Sequence, residues 1–284
     1  MDAPSSGARV RGGAVALGLL LALATVALLL AGAASGSGGK GDNLGFRLQE
    51  SQVKPGELLF DGERPVRLRY RFRANRSIDL RISVVGSKRG NTVAVFRNRD
   101  AEPGARLKQS WDGVTRRGTA AKDGRYEFRV GPPGRTDRFA GSFRLHGHVF
   151  PVDGPHGDRG PIGDFGAPRS GGRTHEGFDI TGACGTRLQL ARGGEVARAG
   201  YDPVLYGYFV LVNGRKTDES YFYSHLIAPS PLRKGERVRS GERVGAIGQT
   251  GNAAGTPCHL HFELRKHDKP VDPEPDLRDW DGWS

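Results

Sequence analysis

Cysteine is scarce in this 284-residue chain, which holds only Cys184 and Cys258. They stand far apart, so there is no C-x-x-C pair of the kind that begins a structural zinc site. The chain also lacks a basic helix and an aromatic RNA-binding signature, so nucleic acid is not an expected partner. No convincing amphipathic helical pattern occurs. Acidic residues are outnumbered, 31 against 43 lysines and arginines, for a formal net charge of +12. That balance favours anionic partners such as acidic lipid or wall polymers, although the cations are spread along the sequence rather than clustered. Among the residues that are abundant, 44 glycines and 17 prolines argue for many turns and short strands. A hydrophobic fraction of 36% beside a charged fraction of 26% suits a soluble globular body.

Charge is absent altogether from residues 12–39. Within that stretch Ala14–Leu30 is a nearly unbroken apolar run preceded by Arg9 and Arg11. This is the pattern of an export signal whose positive end stays in the cytoplasm. Ala31, Gly32, Ala33 and Ala34 allow an A-x-A-type cleavage after Ala33, and the run is also nearly long enough to remain as an anchor. Residues 1–34 are therefore read as signal peptide or membrane anchor, both open, with the remainder outside the membrane. There a cysteine pair tends to be oxidised, so a Cys184–Cys258 disulfide is expected. Buried free thiols or metal ligands are the alternatives.

Residues 35–44 read as a flexible linker. From Gly45 the pattern becomes β. Val66–Arg73 alternates apolar and basic residues, and Ile78–Val84 alternates likewise; each predicts a strand with one buried face. Thr92–Phe96 is a further short strand. Trp111-Asp112-Gly113, followed by Asp123-Gly124 and the alternating Tyr126–Val130, describes a hairpin edge of a small sandwich, with Trp111 in its core. After His148 come more strands and glycine turns. Two G-E-R-V units, Gly235–Val238 and Gly241–Val244, suit a strand, a tight turn and a strand. Lys234 is not placed like the tip lysine of a lipoyl-type carrier.

Three segments carry chemistry: His175-Glu-Gly-Phe-Asp179, Tyr223-Ser-His225-Leu226 and His259-Leu-His261-Phe-Glu263. Zinc in a hydrolase takes three nitrogen or oxygen ligands and keeps one position open. Histidines at i and i+2 of a strand point to the same side, so one can bind metal while the other faces the substrate. His175 and Asp179 flank Gly177, which lets the chain turn both side chains toward one ion. Two histidines and one carboxylate leave the ion a net charge of +1 and strong Lewis acidity. His146-Gly-His148 is also H-x-H but has no matched carboxylate segment, and is read as non-catalytic. His156 and His267 are read as surface histidines.

The ordered set Phe165–Arg169, Gly172–Ile180, Tyr223–Leu226, Val244–Gly251, His259–Leu264 and Lys269–Pro273 resembles the lysostaphin/LytM-type zinc metalloendopeptidases over about residues 149–275. That resemblance implies an all-β chain. It would have an antiparallel peptidase domain at 148–276 (a duplicated hybrid, barrel-sandwich-like motif) and a C-terminal tail at 277–284. Residues 45–147 would form an Ig-like sandwich, where Trp111–Val130 resembles the FlgD-type hook-capping proteins. The resemblance further implies one Zn2+ per chain, ligated by His175, Asp179 and His261, with His225 and His259 as catalytic histidines and Glu263 structural. His259 is read as the group that helps deprotonate water, and His225 as the one that stabilises the oxyanion or passes a proton to the leaving amine. The implied function is exported hydrolysis of peptidoglycan stem peptides or cross-bridges. A wall-binding, catalytically inactive relative that activates another hydrolase is the alternative. Ala253–Cys258 runs about two residues longer than the family pattern; a Cys184–Cys258 bridge would tie the two walls of the metal site together.

Overall fold

The alternation in Val66–Arg73 sets the N-terminal half: Val66, Leu68, Tyr70 and Phe72 are buried and the arginines between them face outward. The structure, a computed structural model, describes residues 43–284. The export segment 1–34 and nearly all of the linker 35–44 lie outside the described residues. Eight strands build this half: β1 (Arg47–Lys54), β2 (Glu57–Leu59), β3 (Val66–Arg73), β4 (Ile78–Gly86), β5 (Thr92–Ala101), β6 (Leu107–Trp111), β7 (Gly124–Gly131) and β8 (Arg138–His146). They form a three-stranded sheet, β1-β3-β6, and a five-stranded sheet, β2-β8-β7-β4-β5. One core holds them together, including Phe60, Phe72, Leu80, Trp111, Phe128 and Leu145. Burying each such side chain is worth about 1.5–3 kcal/mol.

The hairpin expected between Trp111 and Tyr126 is not formed. β6 and β7 belong to different sheets, and the chain between them crosses over through its own Val114–Ala120 bridge. Two D-G turns are local features, whereas the choice of sheet is made by which apolar face must cover the core.

The C-terminal half continues with β9 (Val152–Asp153), β10 (His156–Asp158), β11 (Phe178–Gly182), β12 (Arg187–Gln189), β13 (Gly194–Asp202), β14 (Gly207–Gly214), β15 (Glu219–Leu226), β16 (Arg237–Val238), β17 (Arg243–Ala246), β18 (His259–Lys266) and β19 (Lys269–Val271). The main sheet runs β10-β11-β18-β15-β14-β13-β16 with β19 beside β18, and a small sheet β17-β12-β9 lies apart from it. Their shared core includes Ile180, Leu188, Val210, Tyr221, Tyr223, Leu260 and Phe262. The G-E-R-V units are not a hairpin, since β16 pairs with β13 and β17 with β12. Each unit is instead a turn closed by its own glutamate: Arg233 N–H donates to Glu236 (2.9 Å) and Arg239 N–H to Glu242 (2.8 Å).

The chain is mostly β rather than all-β. Helix α1 (Glu274–Asp281) occupies much of the expected tail, with Glu274 and Asp276 in its first turn. Its pattern is too short to read as amphipathic, yet it buries Leu277 and Trp280 against the C-terminal core. Among the described residues no helix is long and apolar enough to cross a membrane.

Residues 43–284 cluster as one compact unit containing both cores. Polar contacts join the halves. Ser240 Oγ–H donates to the Phe60 carbonyl (2.5 Å) and accepts from Gly193 N–H (2.8 Å). Asp61 pairs with Arg215 at 2.8 Å, and the Arg192 guanidinium lies 4.3 Å from the Phe60 ring centre. The H-x-H of the junction belongs here: His146 bonds Glu57 and stacks on Trp283, while His148 stacks on Trp280 and meets Glu219 (3.1 Å) and Tyr221 (2.7 Å).

Burial alone would raise the Glu219 carboxyl, but hydrogen bonds from His148 and Tyr221 outweigh it and hold the pKa down at about 2. A native value below the unfolded one gives stability that is complete above the unfolded pKa and lost as pH falls toward 2. Urea unfolding from pH 6 down to pH 2 is expected to reveal an acid-labile contribution of up to about 3 kcal/mol that Glu219→Gln abolishes.

Candidate metal centre

The pairing of β11 with β18 puts Asp179 directly opposite His261. On β18 the residues alternate cleanly. Leu260, Phe262 and Leu264 enter the core, which leaves His259, His261 and Glu263 on the opposite face. His175 reaches the same point from the loop before β11. Its backbone is held by Ala167 (2.9 Å) and its ring Nδ1–H donates to the Asp164 carbonyl (2.9 Å). The turn between His175 and Asp179 requires Gly177, because a Cβ there would sit 2.4 Å from the Phe262 carbonyl and 2.9 Å from the His261 ring.

Three donor atoms converge. His175 Nε2 lies 2.7 Å from His261 Nδ1 and 3.0 Å from Asp179 Oδ1, which is 3.1 Å from His261 Nδ1. All three residues are buried. Zinc bonds of about 2.0–2.1 Å imply tetrahedral edges of about 3.3 Å, so this triangle fits that ion with minor relaxation. Burial would lower the His261 pKa, but Asp179 and Glu263 outweigh it and raise the value to about 9; Asp179 is held far below the usual carboxylate range by His175 and His261, against the opposing effect of burial. The cluster therefore favours a positive charge at its centre, which a divalent ion held by His175, Asp179 and His261 would supply. Glu263 accepts from His261 Nε2–H at 3.0 Å and pairs with Arg265 at 2.6 Å, so it orients the ring from behind.

His225 and His259 complete the cluster, with ring centres 5.0 Å apart. His225 Nδ1 bonds the Thr250 carbonyl and His259 Nδ1 the Pro257 carbonyl, each at 2.8 Å. A carbonyl can only accept, so both rings carry hydrogen on Nδ1 and a lone pair on Nε2. Burial pushes both pKa values down, that of His225 to about 3. His225 also holds a left-handed backbone conformation with φ 61°, strain of a kind stored at functional sites.

The histidines and Asp179 line an open cleft of about 590 Å³. Ile162, Leu205 and Ala253 give it apolar wall, and Tyr206 and Asn252 polar wall. Arg159 was not singled out from the sequence. Its Nη1 donates to Asp179 Oδ2 (3.1 Å) and to His259 Nε2 (3.2 Å). Arg169, 3.7 Å from the same carboxylate oxygen, ends the Phe165–Arg169 segment, where nothing in the sequence signals this contact. Neither arginine has a spacing that relates it to the histidines. His156 lies apart, stacked on Phe150, and His267 is exposed.

Residues 173–273 match the family model described as Peptidase family M23. The C-terminal part of this chain is thus similar to the M23 peptidases. Over 105 residues the chain is 34% identical to the lipoprotein NlpD/LppB homolog of Pseudomonas aeruginosa, an alignment covering 37% of this chain and 33% of that protein. Over 97 residues it is 31% identical to the peptidoglycan DD-endopeptidase ShyA of Vibrio cholerae, covering 34% and 21%. Among solved structures, the catalytic domain of lysostaphin from Staphylococcus simulans aligns with 44% of this chain and 92% of its own at 25% identity, with a TM-score of 0.37. The chain spans about a third or less of the length of these curated relatives.

One wall of the site is covalently braced. Cys184, just past β11, is bonded to Cys258, just before β18, across a sequence separation of 74. Closing a loop of that length removes enough unfolded-state entropy to stabilise the fold by about 4 kcal/mol. The Cys184→Ser/Cys258→Ser double variant is expected to lose up to that amount in urea unfolding, while unchanged stability would mean the brace is redundant with the β11–β18 pairing.

Proposed function

We propose that the chain is an exported zinc metalloendopeptidase that hydrolyses peptide cross-links of peptidoglycan. The observation that carries this reading is the convergence of His175 Nε2, Asp179 Oδ1 and His261 Nδ1, all 2.7–3.1 Å apart, at the floor of an open cleft in a domain similar to the M23 peptidases. A zinc ion held by these atoms supplies Lewis acidity toward water and the scissile carbonyl. His225 and His259 are intact beside them, which favours an active enzyme over a wall-binding relative without catalysis. Residues 45–147 are proposed as an Ig-like spacing or binding module.

Both histidines carry Nδ1–H and an Nε2 lone pair, so each can accept a proton. His259 Nε2, whose lone pair Arg159 engages at 3.2 Å in this structure, would accept the proton of the attacking water once that contact is exchanged for the water. His225 Nε2 is also a lone pair, so in its neutral form it cannot donate to an oxyanion. Its role here is to receive the proton and return it to the leaving amine. Arg159, bonded to both Asp179 and His259, is the cation within reach of developing negative charge.

Mass spectrometry of defined muropeptides digested with residues 43–284 tests the proposal. Wild type is expected to cleave and to carry one zinc per chain. His261→Ala is expected to lose both properties. His259→Ala is expected to retain zinc but slow by about 10²–10⁴-fold. Equal cleavage by wild type and His261→Ala would sink the zinc mechanism.

A further inference from the structure

Some of the cations that look dispersed in the sequence form a continuous row on one sheet of the fold. β3 lies between β1 and β6, and its outward residues are Arg67, Arg69, Arg71 and Arg73. Across β1, Arg73 faces Arg47, Arg71 faces Glu50, Arg69 faces Gln52 and Arg67 faces Lys54; across β6, Arg69 faces Lys108 and Arg67 faces Ser110. Like charges therefore stand directly opposite one another in three pairs, an arrangement that costs stability. Glu50 is the one carboxylate in these rows, and it pairs with Arg71 at 3.5 Å. Even so, Arg71 Nε is buried without an acceptor. The outer face of the five-stranded sheet also opposes like charges, Arg81 to Arg97 and Arg125 to Arg144, but carboxylates are interspersed there: Glu57 stands opposite Arg144, and Glu127 and Asp137 neutralise Arg129 at 2.6 and 3.5 Å.

The face is furrowed along β3. A cavity of about 500 Å³, lined by Arg69, Arg71, Arg106 and Lys108 together with Glu50, Gln52 and the buried Tyr70, shares Gln52 and Arg69 with one of about 130 Å³ that Lys54 and Arg67 complete. Successive outward arginines recur about every 7 Å, the two-residue repeat of a strand. The outward residues of β3 and those facing them include no aromatic side chain, so stacked nucleobases have no platform.

We propose that the outer face of the β1-β3-β6 sheet binds a linear phosphodiester polymer whose charges recur about every 7 Å along the β3 arginine row. Guanidinium groups suit phosphate oxygens, and Gln52 and Ser110 add neutral hydrogen bonds to the linking groups. A furrow along one strand fits a chain better than it fits the plane of a bilayer. The inference does not rest on the peptidase reading, since none of these residues lines the metal cleft.

Fluorescence anisotropy of residues 43–284 with a fluorescein-labelled poly(glycerol phosphate) of about twelve units, long enough to cross the row, is the test. Two variants each lose four cations. One carries Arg67→Gln, Arg69→Gln, Arg73→Gln and Lys108→Gln on the face; the other carries Lys88→Gln, Arg89→Gln, Arg117→Gln and Arg135→Gln elsewhere. The face variant is expected to bind at least about tenfold more weakly, with a salt slope lower by roughly two to three, and the scattered variant to stay within about threefold of wild type. A third variant, Arg67→Lys, Arg69→Lys and Arg73→Lys, keeps the charge and is expected to retain most of the binding. Circular dichroism melting checks that each variant is folded. Equal losses in the first two variants would overturn the proposal in favour of diffuse charge. So would polymer binding that the face variant leaves intact, or face-dependent capture by phosphatidylglycerol vesicles or oligothymidine in preference to the polymer.

Discussion

The β11–β18 register is the constraint on which the site depends. It sets Asp179 opposite His261 and, by alternation, His259 on the same side two residues away. A slip of one residue would turn His259, His261 and Glu263 into the core and bring Leu260 and Phe262 to the cleft. That register is held from both sides. β15 pairs with β18 along its length, placing Ser224 beside His261, and the Cys184–Cys258 bond closes the far end. The core beneath supplies the energy. Phe178, Ile180, Tyr223, Leu260 and Phe262 are all buried, so the metal-binding face is fixed because the opposite face cannot leave the core.

The site also shows how neighbouring histidines acquire different work. His175 and His261 each give one ring nitrogen to a carbonyl or carboxylate and turn the other toward Asp179. His225 and His259 give Nδ1–H to carbonyls that belong to adjacent turns, leaving a lone pair toward the cleft. Backbone carbonyls orient His175, His225 and His259 through Nδ1, whereas Glu263 orients His261 through Nε2. Arginines 159 and 169 on the outer oxygen of Asp179 add positive charge at the mouth of the same cleft.

The two halves meet through few but specific polar contacts: Ser240 with Phe60, Asp61 with Arg215, and the buried Arg192 against the Phe60 ring. Helix α1 and the residues after it reinforce this junction, where Trp283 and Trp280 stack on His146 and His148. The N-terminal sandwich therefore presents its basic sheet in a fixed relation to its own core, and its arginine row is a property of the folded sheet.

What the sequence determined by itself is whatever repeats locally or is named by residue type. The period-two alternation of Val66–Arg73 placed a strand correctly, because a strand's pleat is a local geometry. The ordered H-x-x-x-D, S-H-L and H-x-H segments named the three donors and the two further histidines, and the exported setting made the disulfide the favoured pairing. The tertiary structure alone decided what depends on contacts distant in sequence. It sent β6 and β7 to different sheets, separated the two G-E-R-V strands, and gave α1 a core to bury Leu277 and Trp280. It also brought Arg159 to Asp179 and set cations of β1 and β6 opposite the arginine row of β3. Loop paths and strand partners are chosen by which apolar surface must be covered, and that is a property of the whole folded chain rather than of any segment.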